Sequence, residues 1–233
     1  KEGVQVTYDL YPYTAGLTSL GACLPPWVFE GGVDKRLERL RDNSVRQRIL
    51  KEIAEGLPGW QNFVKSAGGW QKFIVSSVRS EENKHLEGKF IPEIGEMQGK
   101  DAYDAAFDLL MEEENAVGMV DFYGTEAHVK RFMLRPEMNV CTDGLLTPGK
   151  PHPRLYGSFP RVLGKYVREE KLMPLEAAIH KMTGKAAAVL NLKGRGLVRE
   201  GFWADLTVFD AGRIIDKGTY TDPIQFPQGI AYV

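Results

Sequence analysis

A strand that ends in a carboxylate places the strongest single constraint on this chain. In Met138-Asn139-Val140-Cys141-Thr142-Asp143-Gly144 side chains alternate with period two, so Met138, Val140 and Thr142 share one face while Asn139, Cys141 and Asp143 share the other. The first face needs a core to cover it; the second ends in Asp143. A carboxylate at the last position of a strand, followed by Gly and then by Lys150-Pro151-His152-Pro153-Arg154, suits the C-terminal rim of an α/β sheet or barrel, where catalytic groups collect. Asp143 is therefore the first candidate for chemistry, set against the plainer reading of Asp143-Gly144 as a common turn dipeptide.

A second strand is expected over residues 4–11, with Val4, Val6, Tyr8 and Leu10 on its apolar face and Gln5, Thr7, Asp9 and Tyr11 on its polar one. Pro12 ends its ladder, and Tyr13 to Gly16 leave as a loop. The Tyr11 phenol at the strand exit is placed either to hydrogen-bond a ligand or to pack as a half-buried ring on the rim. Residues 18–100 then form an insertion far longer than an ordinary βα loop. It contains a helical pattern over 34–55, a short strand over 72–78 and a polar stretch in which His85 reads as solvated. An insertion of this length over a strand end can serve as a lid.

Further along, Asp101 is expected to cap a helix to about residue 114, residues 116–121 to form a strand, and Thr125 to cap a helix over 126–134. Helices are expected over 159–172 and 174–192, with Pro174 in a first turn. His128 and His180 read as surface and structural residues. From Gly194 the pattern changes to short strands, over 196–201 and 204–210, which make a small β appendage.

Thirty basic residues against 31 acidic ones leave no charge excess to mark a nucleic-acid surface or a polybasic membrane patch. Cys23 and Cys141 lie far apart without CxxC spacing, which argues against a disulfide framework or structural zinc and fits a reducing cytoplasm. Both ends read as cut: Lys1-Glu2-Gly3 has the form of a capped helix end, and residues 229–233 are a strand-like apolar run without a tail. A fragment of a longer protein is the expectation.

Asp9-Leu10-Tyr11-Pro12-Tyr13-Thr14-Ala15-Gly16, Cys141-Thr142-Asp143-Gly144, His152-Pro153-Arg154-Leu155-Tyr156-Gly157-Ser158-Phe159-Pro160-Arg161-Val162-Leu163-Gly164, Lys181-Met182-Thr183, and Arg195-Gly196 followed by residues 201–210 occur in that order through most of the chain. In this order they resemble the C-terminal part of the D-aminoacylase (N-acyl-D-amino-acid deacylase) family within the amidohydrolase superfamily. The resemblance implies an α/β fold: residues 1–192 as the C-terminal part of a (β/α)₈ TIM-like metallo-hydrolase barrel, interrupted by the long lid at about 18–100. Residues 193–233 would belong to a small flanking β-sandwich. The last two barrel strands would be residues 4–11 and 138–143.

It also implies a zinc-dependent amide hydrolase in which Asp143 takes a proton from the attacking, zinc-bound water and returns it to the leaving amine. Tyr11 matches the family tyrosine contacting the substrate carboxylate, and Arg154 the loop arginine that would pair with it through two hydrogen bonds. His152 belongs to the same loop as a substrate-binding candidate. Leu17 stands where a Ser is common in the family. The family's other metal ligands precede the first residue here, so no zinc site is expected within the chain beyond Asp143 as a possible weak ligand, and the fragment alone is expected to be inactive and to self-associate. Other readings are a cyclic-amide hydrolase of the dihydroorotase or hydantoinase kind, or a non-catalytic domain that binds a small acid. The partner in each case is a small molecule.

Overall fold

The computed structural model describes residues 3–233, so the helix end expected at Lys1-Glu2 lies outside the described residues. Among these the strands are, in chain order, β1 (Tyr8–Leu10), β2 (Gly16–Ser19), β3 (Phe73–Ser77), β4 (Gly118–Asp121), β5 (Met138–Val140), β6 (Val208–Phe209) and β7 (Ile230–Tyr232). With the intervening helices they make a mixed α/β protein of two compact units. The first comprises Lys1–Thr14, Gly124–Leu146 and Pro153–Val233; the second, Ala15–Tyr123 and Thr147–His152.

In the first unit β1 and β5 pair in parallel, with Tyr8 opposite Met138, Asp9 opposite Asn139 and Leu10 opposite Val140. The alternation works as the side-chain period requires. Met138 and Val140 are buried in a core with Val129, Met133, Val162, Leu163 and Tyr166, and Tyr8 and Leu10 pack against it. On the other face the Asn139 amide donates to Asp9 Oδ1 at 3.2 Å. Both strands are shorter than the alternation suggests. The ladder continues for one bond beyond β5, from Cys141 N–H to the Leu10 carbonyl at 3.1 Å, and Asp143 then turns out of it with φ +45°.

Thr125 caps the helix Glu126–Met133, its Oγ1 accepting from His128 N–H at 3.3 Å. The helix Arg154–Arg161 runs directly into a π-helix, Val162–Glu169. Pro160 sits inside this helix and brings no N–H, so the regular i→i−4 ladder is interrupted where the wider form follows. The wider spacing shows in the bond from Glu170 N–H to the Lys165 carbonyl, 2.9 Å. The helix expected over 174–192 is broken at Thr183 into Leu175–Met182 and Gly184–Val189. Of the strands expected beyond Gly194, β6 is realised and pairs antiparallel with β7.

The second unit is built on an antiparallel sheet of order β2-β4-β3. The strand expected over 116–121 is thus its central strand, and the loop expected at Tyr13 to Gly16 gives way to β2 at Gly16. Phe73, Val75 and Met119 pack with Leu40, Ile49, Ile53, Ile91, Ile94, Leu109 and Leu110 in one core, where each buried aliphatic side chain contributes about 1.5–3 kcal/mol. The single helix expected over 34–55 is two, Gly32–Arg41 and Asn43–Glu55. Asp42 explains the break: its Oδ1 accepts from Ser44 N–H at 2.8 Å, so it ends one helix to cap the next.

Glu113, fully buried, closes this unit at the end of the helix Ala102–Glu112. Its carboxylate accepts from the backbone N–H groups of Arg79 at 2.6 Å and Ser80 at 2.8 Å, from Asn83 Nδ2 at 2.7 Å and from the Ser80 hydroxyl. Burial alone would raise its pKa, but these donors outweigh it and hold the carboxyl below the usual carboxylate range. Glu113→Ala leaves several buried donors without an acceptor and should cost about 3 kcal/mol or more, read from denaturant unfolding. Because the folded pKa is depressed, the stabilisation is present above the unfolded value of about 4.3 and is lost as pH falls through the folded value. An unchanged midpoint in Glu113→Ala at neutral pH would contradict this.

Candidate functional site

Asp9, Tyr11, Cys141 and Asp143 line one open cavity of about 360 Å³ in the first unit. They are the polar-face residues of the two paired strands and of the turns that follow. Asp143 reaches it from a left-handed backbone conformation that Asp tolerates better than most residues. Gly144 follows for a steric reason: a Cβ there would stand 2.8 Å from Leu155 Cδ1 and 3.3 Å from Leu155 Cα. That close approach brings the turn against the start of the helix Arg154–Arg161 and so places Asp143 beside Arg154.

Arg154 Nη2 lies 2.8 Å from Asp143 Oδ2, and the two side chains differ sharply in exposure, 3% for Arg154 and 61% for Asp143. The Arg154 guanidinium also stacks 4.4 Å from the centroid of the Tyr11 ring, a cation–π contact that favours a fixed, planar guanidinium. The Ser158 hydroxyl donates to the Arg154 carbonyl at 2.8 Å and tightens that first helical turn. The site therefore presents an accessible carboxylate backed by a buried positive charge and flanked by a phenol. Such a set can accept a proton at Asp143 and recognise a carboxylate through the arginine.

Of the four candidate site residues, Asp143, Tyr11 and Arg154 come together. His152 belongs to the second unit, where it is buried and its Nε2–H donates to the Ala15 carbonyl at 2.9 Å. Leu17 is a β2 residue of the same unit, opposite Val120. Cys141, on the polar face of the strand expected over 138–143, lies one position beyond β5 and is half-buried. Burial, then the nearby Asp9 and Asp143 carboxylates, push its thiol up to about 11, so at neutral pH it carries its proton. Asp9 also lines the cavity but was not selected as a site residue; the signal for it was its place two residues before Tyr11 on the polar face of an alternating strand.

Among the described residues, no group of three or more His, Cys, Asp and Glu side chains could hold a metal ion. Asp143 and Asp9 are the carboxylates at the cavity, and they do not by themselves make a zinc site. Likewise, no helix among the described residues is long and apolar enough to cross a membrane.

Known proteins resemble this chain over long stretches. An N-acyl-D-aspartate deacylase from Alcaligenes xylosoxydans xylosoxydans is 42% identical over 141 residues, covering 58% of this chain and 28% of that protein. A D-aminoacylase from the same organism is 39% identical over 145 residues, covering 62% and 29%. Among solved structures, the N-acyl-D-glutamate deacylase of Bordetella bronchiseptica, complexed with zinc and a phosphonate inhibitor that mimics the tetrahedral intermediate of its reaction, has a TM-score of 0.73 at 30% identity, over 99% of this chain and 38% of that one. This chain thus spans less than a third of the length of those curated relatives. The sequence model of the amidohydrolase family matches residues 86–231, more than half of the chain, and the chain belongs to that family.

Proposed function

We propose that the chain is the C-terminal part of a zinc-dependent hydrolase that cleaves the amide bond of N-acyl-D-amino acids to a carboxylate and a free D-amino acid. In this reading β1 and β5 are the last two strands of a (β/α)₈ barrel, and the insertion between them, expected at about 18–100, extends over residues 15–123, the main segment of the second compact unit. The observation that carries it is the Arg154–Asp143 pair at 2.8 Å beside Tyr11, in a chain whose relatives include an N-acyl-D-aspartate deacylase, a D-aminoacylase and an N-acyl-D-glutamate deacylase.

This chain's own residues supply two parts of the reaction. Asp143 acts as the base: one Oδ takes the proton from the attacking water and delivers it to the leaving nitrogen. Arg154 and Tyr11 hold the substrate's α-carboxylate, so that the scissile amide lies against Asp143 and attack becomes effectively unimolecular. Zinc is carried over from the zinc-bound neighbour; Asp143 would be a weak ligand to it, and the remaining ligands would come from the full-length protein.

The test uses the full-length product of the encoding gene. Purified protein should contain zinc by plasma emission and release amine from N-acetyl-D-amino acids but not from their L-enantiomers. Hydrolysis of dihydroorotate or hydantoin in place of these substrates would move the protein to the cyclic-amide hydrolases; binding of small acids without turnover would make it a binding protein.

A further inference from the structure

Tyr11 and Arg154 are brought to the site by different elements, Tyr11 by the exit of β1 and Arg154 by the first turn of a helix 143 residues later in the sequence. Their stacking at 4.4 Å requires those two backbones to be held in register. One group reaches the neighbours of both through two intermediate side chains. Asp216 Oδ2 accepts from Arg161 Nη1 at 2.9 Å and from the Tyr13 hydroxyl at 3.4 Å, and its side chain is 6% exposed. Arg161 Nε donates to the carbonyl of Pro12, the residue after Tyr11, at 2.9 Å. The Tyr13 hydroxyl is also 3.4 Å from the carbonyl of Pro153, the residue before Arg154. The Arg161 guanidinium lies 4.7 Å from the centroid of the Tyr13 ring and completes the cluster.

The helix surface is shaped to admit the segment that carries Asp216. Gly157 and Arg161 meet the Asp216 side chain, and Gly164 and Arg168 meet the Ile214 carbonyl, so the four share a face. A Cβ at Gly157 would lie 2.6 Å from Tyr13 Oη and 2.8 Å from Asp216 Cβ; at Gly164 it would lie 2.5 Å from the Ile214 carbonyl oxygen. Arg168 Nη1 bonds that same carbonyl. The glycines let the backbone in, and the arginines fasten it.

We propose that Asp216, acting through Arg161 and Tyr13, is a positioning residue for substrate recognition: it fixes Pro12 and Pro153, and thereby the relative placement of Tyr11 and Arg154. This rests on the reading of Tyr11 and Arg154 as the pair that holds the substrate carboxylate. A link that only stabilised the fold would affect all substrates alike when weakened. A link that sets this pair affects substrates bearing the carboxylate.

The experiment compares Asp216→Asn, Asp216→Glu, Tyr13→Phe and Arg154→Ala in the full-length protein. Each is assayed on an N-acyl-D-amino acid and on the corresponding N-acyl amine without the carboxylate. Asp216→Asn should raise KM for the acid about tenfold, within the penalty that a small misplacement of a positioning group carries, with a smaller change in kcat and little change in KM for the amine. Tyr13→Phe removes one hydroxyl and should shift the same ratio in the same direction by less, which keeps the test open if the charge-altered variant does not fold. Asp216→Glu should recover part of the loss. If Arg154→Ala discriminates between the substrates while Asp216→Asn and Tyr13→Phe lower both equally, the positioning role is overturned and the reading of Arg154 stands. If Arg154→Ala itself does not discriminate, the reading of the carboxylate site fails and the inference falls with it.

Discussion

Replacing Asp143 by Asn in the full-length protein is expected to lower kcat by about 10²-fold or more, the usual contribution of a positioned general acid and base. The substitution preserves the shape of the side chain, and an amide oxygen can still accept from Arg154 Nη2, which stands 2.8 Å from Asp143 Oδ2. What the amide lacks is the capacity to take a proton from water and pass it to the leaving nitrogen. The loss should therefore fall mainly on kcat, with KM little changed, because the groups assigned to the substrate carboxylate are left in place. Steady-state kinetics together with zinc content measure this. A variant that turns over at a near-normal rate with its metal retained removes Asp143 from the mechanism.

Arg154→Ala is expected to act on the other parameter. A charge-assisted hydrogen-bonded pair contributes roughly 1.5–3 kcal/mol, or on the order of 10- to 100-fold in KM for N-acyl-D-amino acids. Substrates without a carboxylate should suffer far less. Because the guanidinium is almost fully buried and stacks on Tyr11, its removal also frees the phenol ring and leaves Asp143 without its charge partner, so a secondary fall in kcat is expected on both substrates. Kinetics on matched acid and amine substrates separate the two effects. Equal losses throughout would mean that Arg154 supports the loop and does not read the ligand.

The strand pair and the division of its two faces were legible because period-two alternation is a local property, and both strands express it in a few residues. Tyr8, Leu10, Met138 and Val140 pack on the side that pattern assigns them. The caps at Asp101 and Thr125 were legible for a similar reason, each being a single side chain bonded to an N–H three residues on. The second carboxylate cap, Asp42, lies within the five-residue step from Leu40 to Val45 in an otherwise helical apolar spacing, and passing over that one irregular step joined two helices into one. The loop 150–154 looked like one functional unit, yet its neighbours His152 and Arg154 serve different units, a division that depends on tertiary packing. Asp216 was beyond reach for the same reason. It lies in an irregular stretch without period, and its meaning comes from Arg161, 55 residues away, and Tyr13, 203 residues away.

The pairing of β2 with β4 bears on how the parent strands ever find each other. Asp9 and Asn139 are 130 residues apart in sequence, and a closure of that span is slow and entropically costly. The inserted unit has its own core and sets Gly16 opposite Asp121, while just outside it Gly124 N–H donates to the Thr14 carbonyl at 2.8 Å. Once that unit has formed, the open span between β1 and β5 shrinks to roughly 25 residues, which lowers the closure cost by about 1.5 kcal/mol. Residues 15–123 would then fold first and act as a short staple in the chain, and their amides should gain protection from hydrogen exchange before those of β1 and β5.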